Sequence, residues 1–389
     1  LGRMGSLYAT APRVAAHGIG NTAARAVDGL WRAGMLDRLI ALGHEPTSVD
    51  ERRIVDVRFP PRRAFFFWPE KRYYLAKHRH FDRRCLAHID GAHEVVHLWN
   101  SQATRSARAT KRLGKKLIIE RASTHIVTQT RRLTDAYARL GIDFQPTYAE
   151  TIERCREEYE LADLVLTPSE NSYRSFAEDG YDMTRVVRCP FGIDLEKTTV
   201  RARAPEKFVA LFVGQVGVRK GVFTLLAAWD KAQLDGELWL VGGEEEAVRA
   251  QFAPWRNRDD IRFMGFRGDV PELMRCASVF VFPSLEEGSA LVTYEAMACG
   301  LPSILTGESG AVARDGQEAL TIDAHDVDAL AAALTKMKED PALAQQMGLA
   351  ARKRVEQFPW SAYGDRIATV HRLLREGAEG PAIQRALSI

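Results

Sequence analysis

The chain has 389 residues, of which 46% are hydrophobic and 27% are charged, and its formal net charge is +3. This length exceeds what one hydrophobic core usually supports, so we expect two domains of roughly 100–200 residues each. The composition is that of a soluble globular protein, and the small net charge argues against a nucleic-acid partner.

The cysteines are odd in number and widely spaced, with no Cys-x-x-Cys pair, which favours reduced, mostly buried thiols over disulfides or a zinc site. They are Cys85, Cys155, Cys189, Cys276 and Cys299. No apolar run reaches the roughly 18 residues of a membrane span. The first residues lack the layout of a signal peptide, so a cytoplasmic location is predicted. Because the chain starts at Leu1, we expect an incomplete first strand.

The first half of the chain mixes predicted helices with short apolar strands. The predicted helices are Thr22–Leu42 and Tyr148–Leu161. The predicted strands are Val95–Trp99, Lys116–Glu120, Leu164–Thr167 and Val186–Cys189. A polar stretch closed by Pro205, Thr198–Glu206, is the predicted linker between the domains.

From Phe208 onward, strands and helices alternate regularly. The predicted strands are Phe208–Val213, Glu237–Val241, Ile261–Met264, Ser278–Phe282, Pro302–Leu305 and Leu320–Ile322. The predicted helices are Gly221–Lys231, a polar helix from Glu244, Val270–Cys276, Ser289–Cys299 and Val327–Lys338. This alternation predicts an α/β fold with parallel, doubly wound sheets. Two such domains leave a cleft between them, where small molecules usually bind.

A pair of glutamates is the most informative motif. Glu287 follows the strand that ends at Phe282, and Glu295 lies about two turns into the next predicted helix. Both side chains are therefore expected at the carboxyl end of a parallel strand, where open α/β sheets bind ligands. Carboxylates there suit sugar and ribose hydroxyls, and the N-terminus of the helix suits a phosphate.

A second motif follows the first strand of the second half, from Gly214 to Gly221. Its glycines allow close backbone approach to a ligand, and Arg219 and Lys220 bring positive charge to the same edge of the sheet. Taken alone, this basic pair favours a solvated loop. The glutamate motif on another strand end of the same sheet makes a phosphate site the better interpretation.

In chain order, these motifs resemble those of the retaining glycosyltransferases of family 4, which have the GT-B fold. The resemblance is close over residues 205–360, through Gly214 with Arg219-Lys220-Gly221, Gly265-Phe266, Glu287-Gly288, and Glu295-Ala296-Met297-Ala298-Cys299-Gly300-Leu301-Pro302. It is weaker in the first half, through residues 120–125, 162–169 and 190–194. The order of the motifs, more than any one of them, carries the specificity.

The resemblance implies roles for individual residues of this chain. Arg219 and Lys220 correspond to the pair that holds the nucleotide diphosphate. Glu287 corresponds to the carboxylate that faces the donor sugar, and Glu295 to the ligand of the ribose hydroxyls. His125 corresponds to a histidine that faces the donor sugar from the other domain. We therefore expect Glu287, His125, Arg219 and Lys220 to be the catalytic residues.

Other donor-site residues follow from the same resemblance. Gly288, Ser289, Ala290 and Leu291 correspond to a turn whose N–H groups meet the phosphates, and Gly265-Phe266 to a segment along the base. Gln215 stands where many members of the family have an arginine, and Ser289-Ala290 stands where Phe-Gly is common. We interpret both departures as subfamily variation.

Two further patterns have plainer interpretations beside the functional ones. Gly18-Ile19-Gly20 precedes the first long helix, and a simple loop there is as compatible with the sequence as a glycine turn in which Gly20 faces the donor or acceptor. Asp326-Val327-Asp328 matches a metal-binding Asp-x-Asp, but it opens a predicted helix, where capping explains it. No metal ligand and no cofactor are predicted.

Residues 52–84 combine eleven Lys or Arg residues with three acids and six clustered aromatic residues. The aromatic residues are Phe65, Phe66, Phe67, Trp68, Tyr73 and Tyr74. This composition suits an anionic membrane surface or a lipid-phosphate acceptor. A core strand over Ala64–Trp68, flanked by a solvated basic helix, accounts for it equally well. On the first interpretation, the segment places the protein on the inner face of the membrane.

The resemblance implies a GT-B fold with two Rossmann-like domains, an acceptor domain over residues 1–200 and a nucleotide-sugar domain over 205–360. A last helix, about Ala362–Arg375 within residues 361–389, is expected to cross back to the first domain. The expected reaction moves a hexose, with retention, from a nucleotide diphosphate sugar, UDP-linked before others, to a hydroxyl of a glycan or lipid-linked acceptor. A phosphorylase, an epimerase or a catalytically weak nucleotide-sugar-binding subunit are the rivals.

Overall fold

The computed structural model describes residues 5–15, 18–200 and 205–387, which form two parallel sheets with helices on their faces. The first sheet has seven strands in the order β3-β2-β1-β4-β5-β6-β7. They are β1 (Gly5–Thr10), β2 (Leu36–Ala41), β3 (Ile54–Asp56), β4 (His93–Trp99), β5 (Lys116–Glu120), β6 (Leu164–Thr167) and β7 (Val186–Arg188).

The second sheet has six strands in the order β10-β9-β8-β11-β12-β13. They are β8 (Phe208–Val213), β9 (Gly236–Val241), β10 (Ile261–Gly265), β11 (Val279–Phe282), β12 (Ser303–Thr306) and β13 (Ala319–Ile322). Each sheet is built outward from a central strand in both directions, so the predicted doubly wound α/β architecture is confirmed. In both sheets, ligands are expected outside the carboxyl ends of the strands.

Thirteen α-helices lie within the described residues. In the first domain these are α1 (Ile19–Arg32), α2 (Glu70–Leu86), α3 (Thr104–Arg112), α4 (Ile126–Ala138), α5 (Ala149–Leu161) and α6 (Glu170–Glu178). In the second they are α7 (Val222–Ala232), α8 (Val270–Arg275), α9 (Leu291–Ala298), α10 (Val327–Glu339) and α11 (Pro341–Val355). Then follow α12 (Trp360–Arg375) and α13 (Gly380–Ala386).

The central strands read as continuous apolar runs because both of their faces are covered by helices. In β11 all four residues are buried, and in β8 five of six are. These apolar runs made β8 and β11 easy to predict from the sequence, and the candidate site begins at their carboxyl ends.

The last helices return to the first domain. α12 packs against α1 so closely that a Cβ atom on Gly29 would lie 2.2 Å from the carbonyl oxygen of Gly364. The Tyr363 hydroxyl donates a hydrogen bond to the buried Glu120 carboxylate at 2.6 Å. The chain therefore passes from the first domain to the second and returns, so that its C-terminal helix α12 packs on the first domain.

Three predicted elements are wrong in part. The helix predicted over Thr22–Leu42 ends at Arg32, because Gly34 takes a left-handed conformation (φ 66°) and the apolar residues after it form β2 beside β1. The strand predicted over Ala64–Trp68 is a 3-10 turn followed by a bend. The Arg62 side chain donates there to the carbonyls of Phe65 and Trp68, and this pattern closes a turn.

The third is the polar helix predicted from Glu244, which is a 3-10 helical segment over Glu246–Trp255 that contains Pro254. Proline removes a backbone donor and disfavours a regular α-helix. The first strand begins at Gly5, and residues 1–4 lie outside the described residues, as does part of the predicted linker, 201–204. None of the cysteines forms a disulfide, and four of the five are buried, as predicted.

Candidate functional site

The site lies where the loops after β8 and β11 meet. Leu285 donates its N–H to the carbonyl of Arg219 at 2.9 Å, which joins the two loops directly. Gly221 has φ 68°, and a Cβ atom there would lie 1.9 Å from the carbonyl oxygen of Pro283. Only glycine permits this approach. The close approach sets the basic pair beside the first glutamate.

Lys220 and Glu287 form an ion pair at the centre of this junction. The Ser284 hydroxyl donates to the same oxygen of Glu287 at 3.0 Å, and Nη2 of Arg219 lies 3.6 Å from the other oxygen. The Glu287 side chain is buried, and the Lys220 ammonium lies 5.2 Å from the centroid of the Phe282 ring. The structure thus brings together Arg219, Lys220 and Glu287.

Glu286, which the sequence interpretation did not single out, is the most enclosed acid of the site. Its side chain has no exposed surface, and it lies 2.9 Å from Nη2 of Arg219. Nε of Arg219 also donates to the main-chain carbonyl of Glu286 at 2.9 Å. One residue therefore fixes both ends of the guanidinium group. The adjacent acids at 286 and 287 were the only available signal in the sequence.

The same Glu286 carboxylate reaches across to the first domain. Thr124 donates to it through its hydroxyl (2.9 Å) and its N–H (3.3 Å), and the hydroxyl of Ser123 and the amide of Gln129 donate as well. Burial alone would raise the pKa of Glu286, but the charge of Arg219 and the bonds from Ser123 and Thr124 outweigh it and hold the pKa below its ordinary value. A buried carboxylate therefore stays charged between the domains.

His125 follows directly after this contact, in the loop between β5 and α4. Its ring atom Nδ1 lies 2.6 Å from a carboxylate oxygen of Asp179, and its ring packs on Tyr159 and Phe176. Its main-chain N–H donates to the hydroxyl of Ser175. Burial lowers the pKa of His125, although Asp179 opposes this shift. The lowered pKa favours the neutral imidazole, and Asp179 fixes its orientation.

Gly288 lets the two domains touch at the backbone. A Cβ atom at this position would lie 2.0 Å from the carbonyl oxygen of Ala122. Ser169 donates to the Gly288 carbonyl, and Asn171 donates to that of Glu287 at 3.1 Å. Residues of the first domain thus contact the loop that carries Glu286 and Glu287 on two of its sides.

The turn from Gly288 to Leu291 differs from the prediction at one residue. The N–H of Ala290 donates to the Ser309 carbonyl at 3.1 Å, so it is unavailable to a phosphate. The Ser289 hydroxyl likewise donates to the carbonyl of Gly310 at 2.9 Å. The N–H groups of Gly288, Ser289 and Leu291 find no acceptor within residues 5–15, 18–200 and 205–387. Three of the four predicted amides are therefore unbonded; Leu291 is the first residue of α9, and Gly288 and Ser289 lie just before its N-cap, Ala290.

Glu295 is the fifth residue of α9, because the helix begins at Leu291 and not at Ser289. Its side chain is partly buried, and burial raises its pKa. Its carboxylate makes no hydrogen bond or ion pair with the part of the chain that the structure describes. A half-buried acid with this surplus bonding capacity is well suited to accept bonds from ligand hydroxyls.

The remaining predicted residues lie around this centre. Gln215, directly after β8, is exposed. Phe266 follows β10, two strands away from β8, with 89% of its surface exposed. Gly20 lies in the first turn of α1, not in a loop, and belongs to the same carboxyl edge of the first sheet as His125. Asp326 caps α10 by accepting the N–H of Ala329 at 2.8 Å, which confirms its predicted structural role.

No group of three His, Cys, Asp or Glu side chains arranged to hold a metal ion occurs among the described residues. The positive charge of the site comes from Arg219, Lys220 and the amides of α9.

Comparison with known proteins finds relatives of the second domain. Residues 207–340, which contain the glutamate pair and the basic pair, match the family model described as glycosyl transferases group 1. The α-maltose-1-phosphate synthase of Mycobacterium tuberculosis is 30% identical over 191 residues, which cover 43% of this chain and 48% of that enzyme. The alignment thus spans about half the length of that relative.

Solved structures match the fold over nearly the whole chain. Sucrose-phosphate synthase from Thermosynechococcus elongatus superposes with a TM-score of 0.68 at 20% identity, covering 97% of this chain and 100% of that one. HepE of Anabaena, solved in complex with UDP and glucose, has a TM-score of 0.64 at 15% identity, covering 95% and 100%. The second domain is therefore similar to the group 1 glycosyl transferases over residues 207–340, and the whole chain has the GT-B fold.

Proposed function

We propose that the protein is a retaining glycosyltransferase that moves a hexose from a nucleotide diphosphate sugar to a hydroxyl of a glycan or lipid-linked acceptor. The observation that carries this proposal is the meeting of Arg219, Lys220 and Glu287 at the carboxyl ends of β8 and β11. The unbonded amides of Gly288, Ser289 and Leu291 follow Glu287 directly in the chain, at and just before the N-terminus of α9. This arrangement offers positive charge for a diphosphate and a carboxylate for a sugar.

In the proposed reaction, the bond between the anomeric carbon and the β-phosphate oxygen breaks, and the acceptor oxygen bonds to the anomeric carbon. The acceptor proton goes to the departing phosphate. Negative charge grows on the diphosphate as it leaves, and fixed cations and amides stabilise it without further reorganisation. Before donor binds, both cations face carboxylates. When the donor binds, its diphosphate therefore has to replace the Glu287 carboxylate as the partner of at least the Lys220 ammonium.

Retention of configuration requires either a carboxylate nucleophile or attack on the same face as the leaving group. Glu287 is bound by Lys220 and Ser284, and its main-chain carbonyl by Asn171. A carboxylate held in this way is better suited to orienting sugar hydroxyls than to moving toward the anomeric carbon. We therefore favour same-face attack, with Glu287 in an orienting and electrostatic role and neutral His125 as its counterpart from the first domain.

The donor is proposed to be UDP-linked. The support is that a protein of the same fold, HepE, was solved with UDP and glucose. Glu295 accepts the ribose hydroxyls in this proposal, and Phe266 lies beside the base. No cofactor and no metal ion take part, since Arg219 and Lys220 supply the charge, so a chelator should leave the rate unchanged. We also propose a cytoplasmic location, which the free cysteines favour.

A transfer assay with a panel of nucleotide sugars tests this function. Purified protein is incubated with each donor, with and without glycan or lipid-linked acceptors, and released nucleoside diphosphate is measured. Donor-dependent release, including slow release without acceptor, supports a transferase and excludes a pure binding subunit. A requirement for free phosphate would instead identify a phosphorylase, and a changed sugar on intact donor an epimerase.

A further inference from the structure

A protruding surface of the first domain has no role in the donor site. It comprises residues 58–74, here called the basic aromatic tip, which follow the edge strand β3. The tip contains five basic residues and one acid, Glu70. Because strands of the first sheet are parallel, the tip leaves the same carboxyl edge as the loop of His125, the edge that faces the second domain.

The tip is held in a defined shape by its own side chains. The Phe65 ring packs against Phe59 and Trp68 at centroid distances of 6.0 and 4.6 Å. The buried Tyr73 donates to the carbonyl of Pro60 at 3.1 Å. Arg62 donates to main-chain carbonyls within the tip, including that of Trp68 at 2.6 Å. The tip is therefore a structured protrusion.

Two phenylalanines at its apex are left outside this packing. Phe66 is 81% exposed and Phe67 is 68% exposed, although both are among the most hydrophobic residue types. A solvated basic helix would account for the charges of this region but not for two adjacent rings held in water. Adjacent exposed rings are a mark of an interaction surface.

The charges around the apex are unusual as well. Arg58 and Arg63 are exposed and have no acidic partner in the part of the chain that the structure describes. Arg72 lies over the Trp68 ring at 4.4 Å, and Lys71 lies over Tyr148 at 4.2 Å. The next acid along α2, Asp82, is buried and caps α3 through the N–H groups of Arg105 and Ser106. The exposed face is thus strongly positive.

We infer that the basic aromatic tip docks the protein on an anionic lipid bilayer, with Phe66 and Phe67 entering the interface and the surrounding arginines and lysines contacting lipid phosphates. Apolar rings beside unpaired cations match such a surface in both polarity and charge. No helix among the described residues is long and apolar enough to cross a membrane. This inference rests on the proposed function, because a lipid-linked acceptor would lie in the bilayer to which the tip binds.

The test is co-sedimentation of the full chain with vesicles of phosphatidylcholine alone or mixed with phosphatidylglycerol. We expect binding to the anionic vesicles only, weakened by salt. Phe66→Ser with Phe67→Ser should lower the partition coefficient roughly tenfold. Arg58→Ser with Arg63→Ser should lower it roughly 25-fold, at about fivefold for each charge.

Matched controls separate this from general effects. Leu349→Ser removes an apolar side chain that is 61% exposed on α11, in the second domain. Arg174→Ser with Arg372→Ser removes two exposed charges that are paired with Glu170 and Glu376. Both controls should bind vesicles like the wild type, and far-ultraviolet circular dichroism should show that every variant folds.

Equal binding to neutral and anionic vesicles would overturn the inference, as would equal partition of the tip and control variants. The wild type could instead fail to bind vesicles and sediment as a dimer. If Phe66→Ser with Phe67→Ser then sedimented as a monomer, a second copy of the chain would be shown to cover the tip, and the inference would be wrong. The assay contains no sugar donor, so its failure leaves the proposed transfer reaction untouched.

Discussion

Arg219 lies between two consecutive acids, with its Nη2 atom 2.9 Å from Glu286 and 3.6 Å from Glu287. The carboxylate of the first of these acids also accepts hydrogen bonds from the opposite domain, through Ser123, Thr124 and Gln129. The guanidinium proposed to bind the diphosphate is therefore coupled to the domain contact by one buried carboxylate. The loop it reaches, residues 122–125, ends at His125, so both halves of the candidate site depend on this bridge.

The first prediction concerns Glu286→Gln, which keeps the shape of the side chain but removes its charge. We expect a loss of about 1–3 kcal/mol in the free energy of unfolding at pH 7, because Arg219 and the donors of the first domain lose a charged partner. Since the pKa of Glu286 in the folded protein is below that in the unfolded chain, its stabilisation is full above about pH 4.5 and is lost as the pH falls through the folded pKa.

Urea denaturation of both proteins between pH 3 and 8 (roughly the range in which the carboxylate titrates) measures this effect. The difference between the two proteins in the free energy of unfolding should be constant at the alkaline end of this range and should fall toward zero at the acid end. A gap that widens toward low pH would contradict the assignment. A higher KM for donor together with a lower kcat would show that the bridge also positions Arg219, which a purely structural role would not produce.

The second prediction concerns the ion pair itself. Lys220→Ala and Glu287→Ala should each lower kcat by on the order of 100-fold or more, because each removes a fixed charge from the reacting centre. Lys231→Ala is the matched control, since this exposed lysine on α7 pairs with Asp328, away from the site. Initial rates with saturating donor give the comparison, and full activity of Lys220→Ala would refute the site.

The third prediction concerns Glu295. Glu295→Gln should weaken nucleoside diphosphate binding roughly tenfold, the value of a hydrogen bond to a charged acceptor. A diphosphate that lacks the ribose hydroxyls should bind the wild type more weakly but bind Glu295→Gln as well as the natural ligand does. Calorimetric titration of the four combinations measures the coupling. Unchanged discrimination in the variant would assign the ribose to another residue.

The fourth prediction concerns the backbone contact at Gly288. In Gly288→Ala the new methyl group would meet the Ala122 carbonyl, so the domains have to separate locally at a cost of about 1–3 kcal/mol. We expect faster amide exchange at residues 122–125 and at least a tenfold loss of transfer. Gly268→Ala, whose Cβ atom would meet nothing within 4 Å, is the control. Equal exchange in the two variants would mean that the contact is dispensable.

Sequence patterns predicted the second domain well because its strands are short, buried on both faces and separated by turn residues. β8, β11 and α10 lie within a residue or so of their predicted bounds. The order of the motifs after β8 and β11 then placed Arg219, Lys220 and Glu287 at one edge. Their contact followed from the topology of a parallel sheet, which needs no knowledge of side-chain packing.

The first half was harder for physical reasons. β1 and β2 flank a helix of similar apolar content, and only Gly34 marks the break between α1 and β2. Glu286 gave no signal of its own, because its role comes from residues 123, 124 and 129, which are more than 150 positions away in the sequence. The hydrogen bond from Ala290 to Ser309 could not be predicted either, because it joins the loops that follow two different strands, β11 and β12. Long-range contacts of this kind require the fold.

The central claim is that one nucleoside diphosphate sugar binds against Arg219, Lys220 and Glu287. A thermal-shift screen of nucleoside diphosphates and their sugars, run in parallel on the wild type and Lys220→Ala, tests it most directly, because a ligand that binds only the native state stabilises it by about 2.7 kcal/mol at a hundredfold excess over Kd. We expect at least one ligand to raise the Tm of the wild type by several degrees and to leave the Tm of Lys220→Ala nearly unchanged. The absence of any shift in the wild type, or an equal shift in both proteins, would contradict it.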